Sequence, residues 1–287
     1  MSVRVHRVDA FTRDAEGGNP AGVVLEAGRL SPETMQEIAA KLGYSETAFL
    51  ISETDETFTI RFFAPSKEVA ICGHATVALF HTLSRLRGLS GTCTMRCGVG
   101  ELSVNIETSG RVFLSQKAPV VEAPMERAPI AAALGIDEDD LVAELDAHRV
   151  ASTGLRKIFA EVRERETLNV LDPNEDAIRR LSEAHEAIGI YVYTAAPNAD
   201  VADWYCRNYA PVVGIWDDAA TGTSAAALSG VLAKRDLPEG KKNRWVFFQG
   251  DPIGVPSRID THWRNEELWV GGEGTIVETF DLELDDK

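Results

Sequence analysis

Three titratable residues fall where a chain can do proton chemistry. Glu46 lies in Tyr44-Ser-Glu-Thr-Ala-Phe-Leu50, at the start of an apolar stretch. A carboxylate beside Phe49 and Leu50 is partly desolvated, which raises its pKa toward the range useful for taking and returning a proton. His74 directly follows Gly73 in Cys72-Gly-His-Ala-Thr-Val-Ala-Leu79, and Asp218 stands just before Thr221-Gly-Thr223. Asp217 competes with Asp218 for the same role, and either could be a simple turn or N-cap residue. The small residues after Gly73 and Gly222 let a ligand approach exposed backbone N–H groups, and glycine itself permits a tight strand-to-helix turn. A helix starting there offers unpaired donors and a partial positive charge, which suits a carboxylate. Plainer readings stand beside these: Glu46 as an exposed carboxylate at a strand start, and His74 and Thr223 as ordinary helix-start residues.

Other candidate chemistry is thinner. Cys93-x-x-x-Cys97 has the look of half a zinc site, but no second Cys/His pair at ligand spacing accompanies it, so neither a metal nor a disulfide is expected. Four cysteines at irregular spacing suit free thiols in a reducing cytoplasm. Gly17-Gly-Asn-Pro20 lacks the G-x-G-x-x-G spacing of a dinucleotide loop, and no cofactor is expected. His6, His81, His148, His185 and His262 have no partner at motif spacing.

The elements that must position these groups are readable in part. Ser31 as N-cap, Pro32 at the first position and Gly43 as stop frame a helix whose apolar face is Met35, Ile38, Ala39 and Leu42. Phe58 to Phe63 and Leu102 to Ile106 alternate as strands, and Thr108-Ser-Gly110 turns the latter into Val112-Phe-Leu114. Ala187 to Pro197 reads as a buried strand, Ala118 to Pro129 as a crossing between lobes, and Ile136 to Leu141 as an acidic helix start. The second half repeats the first. Arg61-Phe-Phe-Ala-Pro65 recurs as Arg207-Asn-Tyr-Ala-Pro211, the Gly73 turn as the Gly222 turn, and the helix from Pro32 as one from Glu175 to Ala187. Two similar lobes would leave a cleft, where binding sites concentrate, with both helix starts facing it.

With 287 residues and a net charge of −16, the chain suits two packed lobes and argues against nucleic acid and anionic membrane surfaces as partners. A small anionic substrate remains compatible, because backbone amides make a pocket locally positive. The N-terminus lacks the apolar run of a signal peptide, and no stretch approaches a membrane span, so a cytoplasmic location is expected.

Asn19-Pro-Ala-Gly-Val-Val24, Ser45-Glu-Thr-Ala-Phe49, Arg61-Phe-Phe-Ala-Pro65 and Glu68-Val-Ala-Ile-Cys-Gly-His-Ala-Thr76 resemble, in order, segments of the PhzF-like family. Asp218-Ala-Ala-Thr-Gly-Thr223, Phe248-Gln-Gly250, Pro256-Ser257 and Val270-Gly-Gly272 continue the resemblance. It implies an α+β, diaminopimelate-epimerase-like fold of two pseudo-symmetric lobes, each a curved sheet around a central helix, with the site between them. The lobes are expected at 1–116 plus 275–287 and at 117–274. The resemblance implies Glu46 as the base that moves a substrate proton, His74 and Asp218 beside the substrate, and the backbone at Gly73 and Gly222-Thr223 around its carboxylate. It also implies a homodimer. Ala219, Thr223, Val255 and Glu273 depart from the family pattern and leave the substrate open.

Cys72 stands where related two-thiol epimerases carry one catalytic cysteine, but no second thiol lies near Thr221 to Thr223, and Cys72 reads as buried packing. The expected activity is that of a cofactor-independent isomerase, moving a proton on a small carboxylate-bearing metabolite in secondary metabolism such as phenazine biosynthesis. The alternatives are an epimerase or dehydratase for a proline-like or hydroxy acid, and a non-catalytic small-molecule-binding protein.

Overall fold

The computed structural model describes residues 1–196, 201–235 and 243–284. The chain divides into two compact units, Met1–Ser115 with Gly271–Lys287, and Gln116–Val270.

The first unit begins with β1 (Ser2–Ala10) and β2 (Asn19–Val24), paired antiparallel. Helix α1 (Pro32–Leu42) carries the chain to β3 (Glu46–Glu53), which lies parallel to β2. Its frame is the expected one: the Ser31 hydroxyl accepts from the Thr34 N–H, Pro32 opens the helix, and Gly43 ends it at φ 69°, a left-handed turn that costs glycine no Cβ clash. Then β4 (Thr57–Ala64) runs antiparallel to β3, and the short β5 (Lys67–Val69) leads into α2 (Gly73–Arg87). Beyond it, β6 (Gly91–Cys97) is parallel to β4, and β7 (Gly100–Ile106) and β8 (Val112–Gln116) follow antiparallel. The last strand, Gly274–Glu283, returns to pair with β1.

Helix α2 is buried on all sides from Ala75 to Leu83, as a central helix must be. Its polar side chains are satisfied internally. Thr76 and Thr82 donate to the carbonyls of Cys72 and Ala78, each at 2.7 Å, and His81 Nδ1 meets the Gly110 carbonyl at 2.9 Å.

The second unit runs β9 (Val120–Pro124), α3 (Arg127–Leu134), β10 (Arg149–Ser152), β11 (Lys157–Glu161), α4 (Arg165–Val170), α5 (Glu175–Ala184) and β12 (Ile190–Ala195). It continues through β13 (Trp204–Tyr209), α6 (Gly222–Ala233), β14 (Arg244–Gln249), β15 (Ser257–Arg264) and β16 (Glu267–Gly272). Helix α6 is buried from Ser224 to Leu232.

The sequence repeat is a repeat of topology. In the first unit the pairs β2–β3, β3–β4, β4–β6 and β6–β7 are parallel, antiparallel, parallel and antiparallel. In the second unit β11–β12, β12–β13, β13–β14 and β14–β15 follow the same order. α1 and α5 cross over the first parallel pair of each unit, and α2 and α6 the second. The architecture is α+β, with each unit a mixed sheet packed on a central helix.

Three stretches take a definite form. The stretch from Ala118 to Pro129 follows the boundary between the units at Ser115 and Gln116 and forms β9, paired antiparallel with β10, with Pro129 entering α3. Pro119 precedes the strand and Pro124 is its last residue, so neither interrupts its interior. The acidic segment after Ile136 closes as one 3-10 turn, Glu138–Asp140, because Asp137 and Asp140 cap each other's backbone. The apolar run from Ala187 is buried strand from Ile190 to Tyr193 and Thr194, while Pro197 lies outside the described residues. Among the described residues no helix is long and apolar enough to cross a membrane.

Candidate active site

In the first unit the site is built where β3 starts and α2 starts. Glu46 is the first residue of β3, and the buried Thr47, Ala48, Phe49 and Leu50 behind it fix its backbone. Its side chain is 23% exposed. His74 is the second residue of α2, with its side chain 11% exposed. The two meet, Glu46 Oε2 lying 3.4 Å from His74 Nε2, and Ser45 Oγ approaches the same nitrogen at 3.4 Å. Burial pushes the His74 imidazole down to about 4, so at neutral pH it is uncharged. The contact therefore joins a neutral ring to a carboxyl.

Cys72 is buried, as expected, and it also neighbours the two titratable groups. Its sulfur lies 3.5 Å from Glu46 Oε2 and 3.3 Å from His74 Nδ1. Burial and the neighbouring Glu46 raise the thiol well above its usual range, while the backbone N–H groups of Ala75 and His74 act the other way. Cys72 is the N-cap residue of α2 and makes no side-chain cap. The first-turn donors of this helix therefore have no capping side chain, in contrast to α1, capped by Ser31, and α5, capped by Asn174.

Gly73 is not there for its backbone freedom, as the sequence suggests. Neither it nor Gly222 has a positive φ. A Cβ at Gly73 would meet nothing within 4 Å, so the glycine leaves open ground beside the helix start.

In the second unit the site is the loop before α6. Arg207, within β13, engages one of the two adjacent aspartates. Its Nη2 and Nε donate to Asp217 Oδ2 at 2.7 and 3.2 Å, with both side chains 10% exposed. Asp218 takes the Thr221 hydroxyl instead, at 2.5 Å. Burial raises the Asp218 carboxyl, opposed by Thr221, by Lys157 and by the Ala220 N–H. Thr221 is spent on this contact and does not cap α6, leaving the helix start at Gly222 and Thr223 without a side-chain cap. Thr223 is exposed, and its carbonyl accepts from Thr153 Oγ1 at 3.4 Å.

Two supporting residues were not visible as functional in the sequence. Lys157, 2% exposed at the head of β11, donates to Asn208 Oδ1 at 2.7 Å, and burial pulls its ammonium down to about 7, against the favourable charge of Asp218. The signal for it is a lysine inside a fully buried strand, Lys157-Ile-Phe-Ala-Glu161. Gln249 Nε2 donates to the Asp218 carbonyl at 2.7 Å and to Thr221 Oγ1 at 3.0 Å. Its Oε1 accepts from the Thr221 N–H and the Tyr191 hydroxyl. Gly250 follows at φ 83°, where a Cβ would lie 2.1 Å from the Val255 carbonyl oxygen and 2.9 Å from that of Ala219, so only glycine lets the strand end pass so close to the Asp218 loop.

The profile of the phenazine biosynthesis-like proteins, PhzC-PhzF, matches residues 8–279. A protein of Escherichia coli K12 named uncharacterized isomerase YddE is 35% identical, across 99% of this chain and 98% of its own. The crystal structure of a Bacillus anthracis phenazine biosynthesis protein of the PhzF family matches with a TM-score of 0.85 at 25% identity, covering 99% of this chain and 100% of that one. A hydroxyproline epimerase from Agrobacterium vitis shares the fold with a TM-score of 0.58 at 13% identity, over 99% of this chain and 93% of its own. Match to the profile over nearly the whole chain, joined to 35% identity with an isomerase over nearly its full length, establishes that the protein belongs to the PhzC-PhzF family of phenazine biosynthesis-like proteins, as one of its isomerases.

Proposed function

We propose that the protein is a cofactor-independent isomerase that moves a proton between carbons of a small carboxylate-bearing metabolite, with Glu46 as the base. The observation that carries this reading is the Glu46–His74 contact: a partly buried carboxyl held by a rigid strand start against a neutral imidazole. Glu46 takes the proton from a substrate C–H bond, whose electron pair shifts into an adjacent unsaturated group of the substrate, and returns it at another carbon of that group. His74, uncharged at neutral pH, donates its N–H to Glu46 or to developing negative charge without adding a cation to the site. The uncapped first-turn amides at Gly73 receive the substrate carboxylate, supported by the open space beside that glycine.

To Asp218, in the second unit, we assign a second proton-handling role. It is supported by its raised carboxyl and by the pairing of Asp217 with Arg207. The amides at Gly222 and Thr223 would serve a carboxylate in the same manner as those at Gly73. Four free cysteines suit work in a reducing compartment such as the cytoplasm. Secondary metabolism remains the proposed setting, on the family resemblance alone.

The test is turnover of candidate carboxylates in D₂O with the position of deuterium read by NMR. Label on a carbon other than the one deprotonated supports the isomerase. Label only at the original carbon, with inversion, replaces it by the epimerase reading.

A further inference from the structure

The trio around the α2 start has a second property that proton transfer does not require. Glu46 Oε2, Cys72 Sγ and His74 Nε2 are separated by 3.5 Å (O–S), 3.9 Å (S–N) and 3.4 Å (N–O). One ligand atom from each residue lies within 4.8 Å of the others. A tetrahedral zinc ion, with bonds of about 2.0 to 2.3 Å, sets its ligand atoms about 3.3 to 3.8 Å from one another. The three atoms therefore already stand close to the edges of such a tetrahedron, and closing them on an ion needs shifts of only tenths of an ångström.

Donor chemistry points the same way. A thiolate, an imidazole and a carboxylate form a borderline set that suits zinc and leaves a fourth position open. One thiolate and one carboxylate cancel the charge of a divalent ion, so the partly buried site would carry no net charge. Outer support exists as well. Glu46 and His74 sit on rigid element starts. The contrast with Cys93 and Cys97 is direct: among the described residues, the trio at Glu46 is the group with ligand atoms gathered for an ion.

We propose that Glu46, Cys72 and His74 form a binding site for a zinc-class divalent ion, whose occupancy ties up Glu46 and holds the isomerase inactive. On binding, the Cys72 S–H bond breaks, its proton goes to solvent, and the sulfur pair is donated to the metal. The inhibitory part rests on Glu46 being the base; the site itself does not.

Cobalt(II) added to metal-free protein is the probe. A thiolate-to-cobalt charge-transfer band with intense tetrahedral d–d bands is expected for wild type and for the Cys93→Ser/Cys97→Ser double variant, and is expected to vanish in Cys72→Ala. A band lost in the double variant, or kept in Cys72→Ala, overturns the site. Should Cys72→Ala fail to fold, anomalous scattering from zinc-soaked wild-type crystals decides. A peak within bonding distance of the three atoms supports the site, and its absence there refutes it. Zinc added to the deuterium-exchange assay should then suppress exchange, with recovery on chelation. Metal bound at the trio without loss of exchange would leave the site standing and remove Glu46 as the base.

Discussion

Asp217 and Asp218 are adjacent in the chain, yet Asp217 is held by Arg207 in a pair of charge-assisted hydrogen bonds while Asp218 accepts from the Thr221 hydroxyl. Under the proposed mechanism Asp217 is structural and Asp218 handles a proton. Removing one member of a nearly buried ion pair strands the other, so Asp217→Asn should cost about 3 kcal/mol of stability. Asp218→Asn should leave the melting temperature almost unchanged and suppress turnover. Thermal unfolding and deuterium exchange on both variants check this, and the reverse pattern would contradict it.

Lys157 should make stability depend on pH in one defined window. Its folded-state pKa is about 7, against about 10.4 for an ordinary lysine. Between these values the unfolded chain holds a proton that the folded chain lacks, so stability rises with pH from about 7 to about 10. In Lys157→Met that increment is gone. The melting temperature of wild type minus that of the variant should climb across the window; a flat difference would show that Lys157 is not desolvated. The same substitution removes a cation that favours the Asp218 carboxylate, so the acid limb of the rate profile should move to higher pH.

Gln249 should act through the Asp218 loop. Gln249→Leu keeps the volume but strands the Thr221 N–H and the Tyr191 hydroxyl, at a cost of about 2 kcal/mol. Because Gln249 also holds the Asp218 carbonyl, kcat should fall more than stability alone explains at temperatures where the variant is fully folded. Denaturant unfolding beside steady-state kinetics measures both.

Much of this was legible in the chain because it is local. Ser31, Pro32 and Gly43 carry the α1 frame in their own chemistry, and the recurrence of Arg-x-x-Ala-Pro before a Gly turn announces two units of like topology. Glu46 and His74 were found through their motifs, and the structure puts them in contact. What stayed hidden depends on residues far apart in sequence. Lys157 meets Asn208 across two strands, and Gln249 reaches back to Asp218 from β14, so neither has a partner at motif spacing. Cys72 looked like packing because burial is visible in a sequence while the direction of a sulfur toward Glu46 is not. The strand at Val120–Pro124 was masked by its composition, since pairing with β10 overrides the weak preference of Pro and Glu.

The central claim is that Glu46 carries the proton. Wild type and Glu46→Gln are incubated with a panel of small carboxylates in D₂O, with binding followed by calorimetry and exchange by NMR. The substitution keeps the shape of the side chain and removes its basicity. The prediction is that a carboxylate exchanged by wild type binds both proteins alike, while its exchange and isomerisation by Glu46→Gln fall by at least about a hundredfold. Equal exchange by the two proteins would contradict the account and assign the proton to another residue.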